Sequence, residues 1–422
     1  MTALRGEESV ARRAGVARRD GVARRDGVAR RDGVARRASL DALLRFAWEA
    51  DVFTAGDALG AVGLSRSTTI EALDDLVVLG LVRELPNARA VGEYRKGRPS
   101  RRFELRSDAA VVVGVDAGQF HVVTTVADLR GRQLATRTEL LGAGDGSVAR
   151  RQVLVVEAID AALAQAGVGR ADVLSVCVGV PAPVDQAGRS PAHRDGFWAA
   201  MNPDLVDVLS SWAPIVRIEN DAVLASVAEH ARGAAVGLRN TVTLLAGHRL
   251  GAGVVIDGTV LRGAHGGVGE VVVLRHLRGV DAAHGIGHHL EEWAGEAVAS
   301  GVLPADHPLR ELPADAVTAR AVIDLARAGD PEARALAERA GATLARIAGV
   351  FGSLYDPERI VVSGGLAPGV EELLAVARRL LPDELDLPAP ELVASSLGAD
   401  VVSIGAVAAA LESARDGALQ IG

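Results

Sequence analysis

Strand-like and helix-like segments alternate along the chain from residue 109 to residue 422. Val111–Val115 is an apolar, mostly β-branched run that predicts a buried strand, and residues 149–166 have the apolar periodicity of a helix. Asp257–Gly258 lies between two apolar runs and predicts a two-residue hairpin. The region is therefore predicted to be α/β, and its length indicates two lobes, with a ligand site between them at the carboxyl ends of strands. Further strands are predicted at residues 122–126, 173–180, 215–218, 241–246 and 359–363, and further helices at 221–234, 290–300, 332–352 and 404–413.

Composition narrows the class of protein. Of the 422 residues 49% are apolar, which suffices for a large core, and the single cysteine, Cys177, excludes a disulfide framework. No apolar run reaches the roughly 18 residues of a membrane span, and the arginine-rich N-terminal segment lacks the apolar centre of a signal peptide. We therefore expect a cytoplasmic protein with no membrane partner.

Charge is distributed unevenly. Residues 1–106 carry 21 basic and 15 acidic residues, whereas the rest of the chain carries 25 basic and 39 acidic residues. A basic first part on an acidic body suggests that only the first part meets a polyanion. Two solvated surfaces of unequal charge are the alternative.

The basic part starts with a tandem hexapeptide. The sequence Gly-Val-Ala-Arg-Arg-Asp begins at Gly15, Gly21 and Gly27, and a variant ending in alanine begins at Gly33. A period of six forms no apolar helical face, so residues 1–38 are predicted to be a flexible arm whose arginines attract DNA phosphates. A repeat expansion or a wrongly assigned start codon, without a selected role, is the alternative.

Residues 39–106 have the pattern of a winged helix-turn-helix. Ser39 is predicted to cap a first helix, a second begins at Thr54, and a third runs from Arg66 to Leu79. The third helix is expected to bury Ile70, Leu73, Leu76 and Val77. Strands at Leu81–Leu85 and Arg102–Leu105 would form the wing. A small protein-contact module is the alternative.

Two groups of residues in this part are candidate DNA contacts. Short polar and basic side chains at the start of a recognition helix reach base edges and phosphates, and a basic wing loop reaches the backbone. The predicted contacts are Ser65, Arg66, Ser67, Thr68 and Thr69 on the helix, with Arg98 and Arg101 on the wing.

The body contains two candidate ligand-binding segments. In Glu219-Asn220-Asp221 the aspartate can accept a proton from a hydroxyl, and the amide can bind a second hydroxyl; a helix cap at Asp221 is the alternative. In residues 263–270 glycines allow close backbone approach to a ligand, and Glu270 offers a carboxylate to hydroxyl groups. A plain surface loop is the alternative.

Histidines cluster after this segment, at His276, His284, His288 and His289. Neutral imidazole is a common metal ligand, but these spacings match no compact zinc motif. Solvated loop histidines are the favoured interpretation, so no metal site is predicted.

The body resembles the ROK family (repressor, open reading frame, kinase), which comprises sugar kinases and sugar-responsive repressors of the actin-like ATPase, or ribonuclease H-like, fold. The resemblance covers residues 110–422, and a winged helix before such a body resembles the repressor branch. It rests on Val115–Gly118, Gly179–Asp185, Glu219–Ala222, residues 263–270, Asp356–Gly365 and Leu397–Asp400.

The resemblance implies roles for particular residues. Asp221 stands where the kinases have their catalytic base, and Asn220, Glu270 and Glu291 stand where they hold the sugar. The two phosphate-binding motifs are altered, at Asp116–His121 and Gly247–Gly251, which argues against kinase activity and leaves Asp221 a vestigial base. The family's zinc ligands fall on Val273, Ala282, His284 and His289, so we expect no family-type zinc and no cofactor; a rebuilt histidine site is the alternative.

These observations predict a transcriptional regulator, a repressor, that binds a DNA operator and a sugar or sugar derivative. Because paired winged helices read two half-sites, a homodimer or a dimer of dimers is expected. An active sugar kinase with an added DNA-binding head is one alternative. A DNA-binding protein whose body serves only for assembly is the other.

Overall fold

The computed structural model describes residues 36–86, 100–142, 148–192, 196–247, 249–364 and 370–420. The predicted arm therefore lies outside the described residues up to position 35. The chain forms two compact units: the head, comprising residues up to Ala109 together with those from Arg415, and the body, Ala110–Ala414. None of the described helices is long and apolar enough to cross a lipid bilayer.

The head combines three helices with a small antiparallel sheet in the order β1-β3-β2. Thr54 and Asp57 form a capping box at the start of α2, and Gly63 ends that helix at a φ of 69°. The rings of Phe46, Phe53 and Phe103 pack together at centroid distances of 5.1 and 5.9 Å. The elements are α1 (36–49), β1 (Val52–Thr54), α2 (Ala55–Val62), α3 (Arg66–Val78), β2 (Val82–Leu85) and β3 (Arg102–Leu105).

Two predictions for the head are wrong in detail. Ser39 does not begin a helix, because α1 already includes residue 36 and Ser39 is buried within it. Ile70 is 36% exposed, and Thr69 faces the core instead. The Thr69 hydroxyl donates to the Ser65 carbonyl at 2.9 Å, so a polar side chain is accommodated where the apolar pattern indicated isoleucine.

The body contains two five-stranded sheets with the same plan. In each sheet three strands are antiparallel neighbours, and two further strands run parallel to one of them. The first sheet has the order β6-β5-β4-β7-β8 and the second the order β11-β10-β9-β12-β13. This repeated arrangement confirms the predicted two-lobed, actin-like α/β body. The strands are β4 (Val111–Ala117), β5 (His121–Asp128), β6 (Gln133–Leu140), β7 (Val173–Val180), β8 (Ile215–Asn220), β9 (Thr241–Ala246), β10 (Leu250–Ile256), β11 (Thr259–Val260), β12 (Arg359–Ser363) and β13 (Glu391–Ala394).

Helices cover the sheets, and each lobe has its own apolar core. The predicted elements of the body are present, with several helices longer than expected, whereas β6, β13 and the helices α5, α6, α9, α10 and α12 were not predicted. The helices are α4 (Val148–Ala166), α5 (Phe197–Met201), α6 (Leu205–Ser210), α7 (Asp221–Arg232), α8 (Ile286–Ser300), α9 (Pro308–Glu311), α10 (Ala319–Ala328), α11 (Pro331–Tyr355), α12 (Glu371–Leu380) and α13 (Val401–Gly417).

Glycine permits unusually close packing of α13 against its neighbours. A Cβ atom on Gly405 would lie 1.9 Å from the carbonyl oxygen of Leu224 on α7. A Cβ on Gly114 of β4 would lie 2.5 Å from the backbone nitrogen of Val407. Both contacts are with backbone atoms, which cannot rotate away, so these positions require glycine.

Gly405→Ala is expected to lower the free energy of unfolding by about 1–3 kcal/mol, because the methyl group would push α13 away from α7. Gly295→Ala on α8 is the matched control, since nothing lies within 4 Å of its Cβ position. The control should be neutral or stabilising by up to about 1 kcal/mol, the helix preference of alanine over glycine. Thermal melting of both variants measures the difference; equal melting temperatures would contradict the packing.

Candidate functional site

A cavity of about 310 Å³ lies between the two lobes of the body. It opens where β4 and β8 end, and the second lobe supplies the start of β10 and the residues around Glu270. Its polar lining includes three carboxylates and two amides, and its apolar lining includes three aromatic rings. These residues are Asp116, Asp221, Glu270, Gln119, Asn220, Phe120, Phe197 and Trp198.

The segment after β4 is held by a buried arginine that the sequence analysis did not identify. Arg151 on α4 is 2% exposed, and its guanidinium donates to the carbonyls of Ala117, Gly118 and Met201. Burial lowers the pKa of Arg151 to about 10. Because Arg151 donates to the carbonyls of Ala117 and Gly118, the segment after β4 is held against helix α4.

A histidine covers the same segment. The Nε2 atom of His121 lies 3.0 Å from Oδ2 of Asp116, which is 6% exposed. A Cβ on Gly118 would lie 2.6 Å from the His121 ring, so the ring rests on the Gly118 backbone. The hydrogen bond to Asp116 raises the pKa of His121. The Asp116 carboxylate, near the end of β4, is therefore already bonded to another side chain of the protein.

Asn220, and not Asp221, caps helix α7. Its Oδ1 accepts from the backbone N–H of Val223 at 3.1 Å, and its Nδ2 donates to the Ala182 carbonyl at 3.1 Å. Asn220 lines the cavity, but both ends of its amide are already bonded to the protein. Asp221 is the first residue of the helix, and its Oδ1 accepts only from the neighbouring Ala222 N–H among the bonds described. The sequence predicted helix capping as the alternative role of Asp221; in the structure Asn220 has that role.

Asp221 has the most perturbed carboxyl group of the cleft. Burial is the main cause, and the nearby carboxylates of Asp116 and Glu270 add to it; together they raise the pKa of Asp221 to about 8. The cleft therefore disfavours a third negative charge. A ligand that donates hydroxyl groups to these oxygens would relieve that cost.

The glycines of residues 263–270 serve the protein backbone. Gly266 has a φ of 69°, and its Cβ would lie 2.0 Å from the Val184 carbonyl oxygen. Gly269 has a φ of 90°, and its Cβ would lie 1.8 Å from the Ala252 carbonyl oxygen. The close approach predicted for a ligand is made by two other backbone segments, and it fixes Glu270 at the cavity wall.

Glu291 does not line the cavity. It lies on α8, and its Oε1 accepts from the backbone N–H of Ala319 at 3.2 Å, at the start of α10. The structure therefore brings together Asn220, Asp221 and Glu270 at the cavity but not Glu291, whose carboxylate is bonded to the start of α10.

The segment Gly247–Gly251 contributes a cation to the cleft. The guanidinium carbon of Arg249 lies 4.0 Å from the ring centroid of Phe197, a cation–π contact. Arg249 has no carboxylate within 4.0 Å among the described residues. His248 lies outside the described residues. Phe197 and Trp198 were missed as cleft residues, since α5 is short and its sequence has no ligand-binding pattern.

In the head, the start of α3 presents polar groups. Ser65 caps the helix, and its Oγ accepts from the Thr68 N–H at 3.2 Å and contacts the hydroxyls of Ser67 and Thr68. Ser65, Arg66 and Ser67 are exposed, and within the described chain Arg66 has no carboxylate within 4.0 Å. The first turn of α3 contains no acidic residue. Arg66 is therefore an available cation at the positive end of a helix dipole.

Two other predicted DNA contacts of the head, Thr69 and Arg101, are less available than Arg66. Thr69 is 1% exposed, so its side chain is inaccessible to a base edge. Arg101 binds both Glu84 and Asp74 at 2.7 Å, and these carboxylates raise its pKa, so its charge is already neutralised. Arg98 lies outside the described residues.

The histidine cluster is partly assembled. His284, His288 and His289 lie together, whereas His276 is exposed and accepts from Arg275. The family's zinc set does not fit this chain, because Val273 and Ala282 carry no donor atom. His284 and His288 form a different donor set together with Glu292.

Comparison with known proteins identifies the body. The pattern of the ROK family matches residues 112–413, which is more than half of the chain. The bifunctional enzyme NanE/NanK of Brucella melitensis is 31% identical over 224 residues, half of this chain, and the chain spans only 40% of that enzyme's length. The xylose repressor of Caldicellulosiruptor bescii is 22% identical over 314 residues, which cover 71% of this chain and 76% of the repressor.

A solved structure matches more of the chain than the body alone. The crystal structure of a ROK family transcriptional regulator, a homologue of the E. coli MLC protein, superposes with a TM-score of 0.68 at 20% identity. The match covers 87% of this chain and 94% of that one, so the two share their fold. Together with the repeated sheet plan and the cleft, these matches show that the chain belongs to the ROK family.

Proposed function

We propose that the chain is a sequence-specific DNA-binding transcriptional regulator, a repressor, whose body binds a sugar or sugar derivative and has no kinase activity. The proposal is carried by one observation: the ring of His121 rests on Gly118 and binds Asp116, where a phosphate would need the bare backbone. Phosphoryl transfer depends on positioning and electrostatics, and the His121 ring would keep a nucleotide phosphate away from the Gly118 backbone.

The charge of the cleft supports the same conclusion. The carboxylates of Asp116 and Glu270 disfavour a phosphate group in the cleft, Arg151 is occupied by backbone carbonyls, and Arg249 is the one arginine among the described residues that line the cavity. A polyhydroxyl ligand, in contrast, donates hydrogen bonds to carboxylates, and its apolar ring faces pack on aromatic side chains. The carboxylates and rings that line the cavity suit such a ligand.

Regulation requires that the sugar bind one conformation of the protein more tightly than another. Closure of the two lobes around the ligand would provide that difference. In a homodimer, closure would change the spacing of two heads and hence the fit to two half-sites. A ligand that binds both conformations equally would leave DNA binding unchanged.

An active sugar kinase with a DNA-binding head is the second candidate function. It is favoured by Asp221, which lines the cleft beside Asp116 and can accept a proton from a hydroxyl. The two candidates differ in the fate of the bound sugar, so one panel of sugars separates them.

A sugar from a hexose and pentose panel is expected to raise the melting temperature of the purified chain without being phosphorylated. At a hundred times its dissociation constant it would stabilise the protein by about 2.7 kcal/mol. Glu270→Gln should weaken this shift, because it removes a carboxylate from the cavity wall. With ATP and magnesium, ADP release should stay at the level of Asp221→Asn.

Glu296→Gln, an exposed glutamate outside the cavity, is the control for Glu270→Gln. Sugar-dependent ADP release that Asp221→Asn abolishes would establish the kinase instead. A complete absence of stabilisation by any sugar would favour a body that serves only for assembly.

Arg66→Ala is expected to lower affinity for a DNA fragment selected from random sequence by about 10- to 100-fold, since arginine contacts to bases contribute roughly 1–3 kcal/mol. Binding should be measured at two salt concentrations against a scrambled fragment. Arg101→Ala is the matched control: its charge is neutralised by Glu84 and Asp74, so it should affect DNA affinity far less. Equal losses for the two variants would show that α3 is not the reading helix.

Asp221→Asn is expected to stabilise the free protein at alkaline pH. The raised pKa means that the folded state holds a proton that the unfolded state releases, so stability falls as pH rises from about 4 to about 8. The melting temperature of the variant should therefore exceed that of the parent by a margin that grows up to pH 8 and then levels off at roughly 2–8 °C. Asp383→Asn, at an exposed site, is the control. A margin that shrinks with rising pH would contradict the burial of Asp221.

A further inference from the structure

The turn before α8 and the first turns of that helix bring metal-binding side chains together. His284 precedes the helix, and His288 and Glu292 lie on it four residues apart, on one face. One ligand atom from each of the three lies within 4.8 Å of the other two. Thus three donors from one turn and the helix that follows it lie close together.

The distances within this cluster fit a small cation. Nδ1 of His284 lies 3.1 Å from Oε2 of Glu292, and Nε2 of His288 lies 3.6 Å from Oε1 of Glu292. Zinc binds nitrogen and oxygen at about 2.0–2.2 Å, so tetrahedral ligand atoms stand about 3.4 Å apart. These two spacings bracket that value, and all three donor atoms lie within 4.8 Å of one another, so side-chain rotation would let them share an ion.

A third histidine borders the cluster. His289 is 3% exposed, its ring centroid is 5.6 Å from that of His284, and its Nε2 has no hydrogen-bond partner among the described residues. A buried polar nitrogen without a partner costs about 1–3 kcal/mol. Its position beside three donors supports a cluster built for a ligand.

We propose that His284, His288 and Glu292 form a binding site for a divalent transition-metal ion, of which zinc is the best fit. Two imidazoles and a carboxylate suit zinc, cobalt and nickel, whereas magnesium and calcium prefer all-oxygen sets. The set shares only His284 with the family's zinc positions. It is therefore a different site, and it does not depend on the proposed function.

The ion would fix part of the cavity wall. His284 pairs with Arg249 in an isolated β-bridge, and the Leu250 N–H donates to the Ala283 carbonyl at 3.3 Å. Arg249, Leu250 and Ala283 all line the cavity. An ion shared by His284, His288 and Glu292 would therefore link this part of the cavity wall to helix α8.

The test uses the full chain, stripped with a chelator and titrated with zinc chloride against a chromophoric chelator. We expect one zinc ion per chain, a rise in melting temperature on zinc binding, and at least a 100-fold loss of affinity in the double variant His284→Ala/His288→Ala. His276→Ala, an exposed histidine outside the cluster, should bind zinc as the parent does. Cobalt in place of zinc should give the visible absorption of a tetrahedral site.

If the double variant does not fold, Glu292→Gln decides, because it keeps the size of the side chain and removes the charge; we expect at least a 10-fold loss. No zinc binding by the parent chain would overturn the proposal, and the His284–Glu292 contact would then be a plain hydrogen bond. Zinc binding that the double variant or Glu292→Gln leaves unchanged would overturn it as well.

Discussion

The shape of the cleft depends on one buried cation. Arg151 makes no ion pair with a carboxylate within 4.0 Å in the described chain, and its guanidinium is satisfied by backbone carbonyls, two of them from Ala117 and Gly118. A buried guanidinium is tolerated only when its donors are used, so α4 and the end of β4 cannot separate without a large cost. With the segment fixed in this way, His121 can lie on Gly118 and engage Asp116. The altered motif is thus a packed structure and not a loosened phosphate loop.

The topology then determines which side chains can meet. β4 and β8 are both bonded to β7 in parallel, so Asp116 and Asn220 emerge at one edge of the first sheet although about a hundred positions separate them. The second lobe brings Glu270 to the same cleft, through the contact of Gly269 with the Ala252 carbonyl. Neither sheet alone holds all the carboxylates. A ligand that reaches both sets of oxygens therefore bridges the lobes, which is the geometry that closure requires.

The sequence predicted the elements better than the side-chain contacts. Apolar runs such as Val173–Val180 are long and unambiguous, so their strands were placed correctly, whereas β6 is half-exposed and has a weaker pattern. The cap at Asn220, the burial of Thr69 and the pairing of Arg101 were missed, because each depends on a partner that periodicity does not reveal. Arg151 and Glu292 were missed for the same reason: an arginine or glutamate on a helix gives no signal of burial or of nearby histidines. Residue type indicated chemistry, but only three-dimensional contacts decided which groups remain available.

The energetics of Asp221 set it apart from the rest of the cleft. Because burial raises the pKa of Asp221 to about 8, this carboxyl group lowers the stability of the free protein as the pH rises above about 4, so folding alone does not favour it. A ligand that donates hydroxyls to Asp221 and Glu270 recovers this free energy only when the lobes bring both groups to it. Under the proposed function, the ligand would change DNA binding only by as much as its affinity differs between the two conformations, and contacts that both lobes make together contribute to that difference.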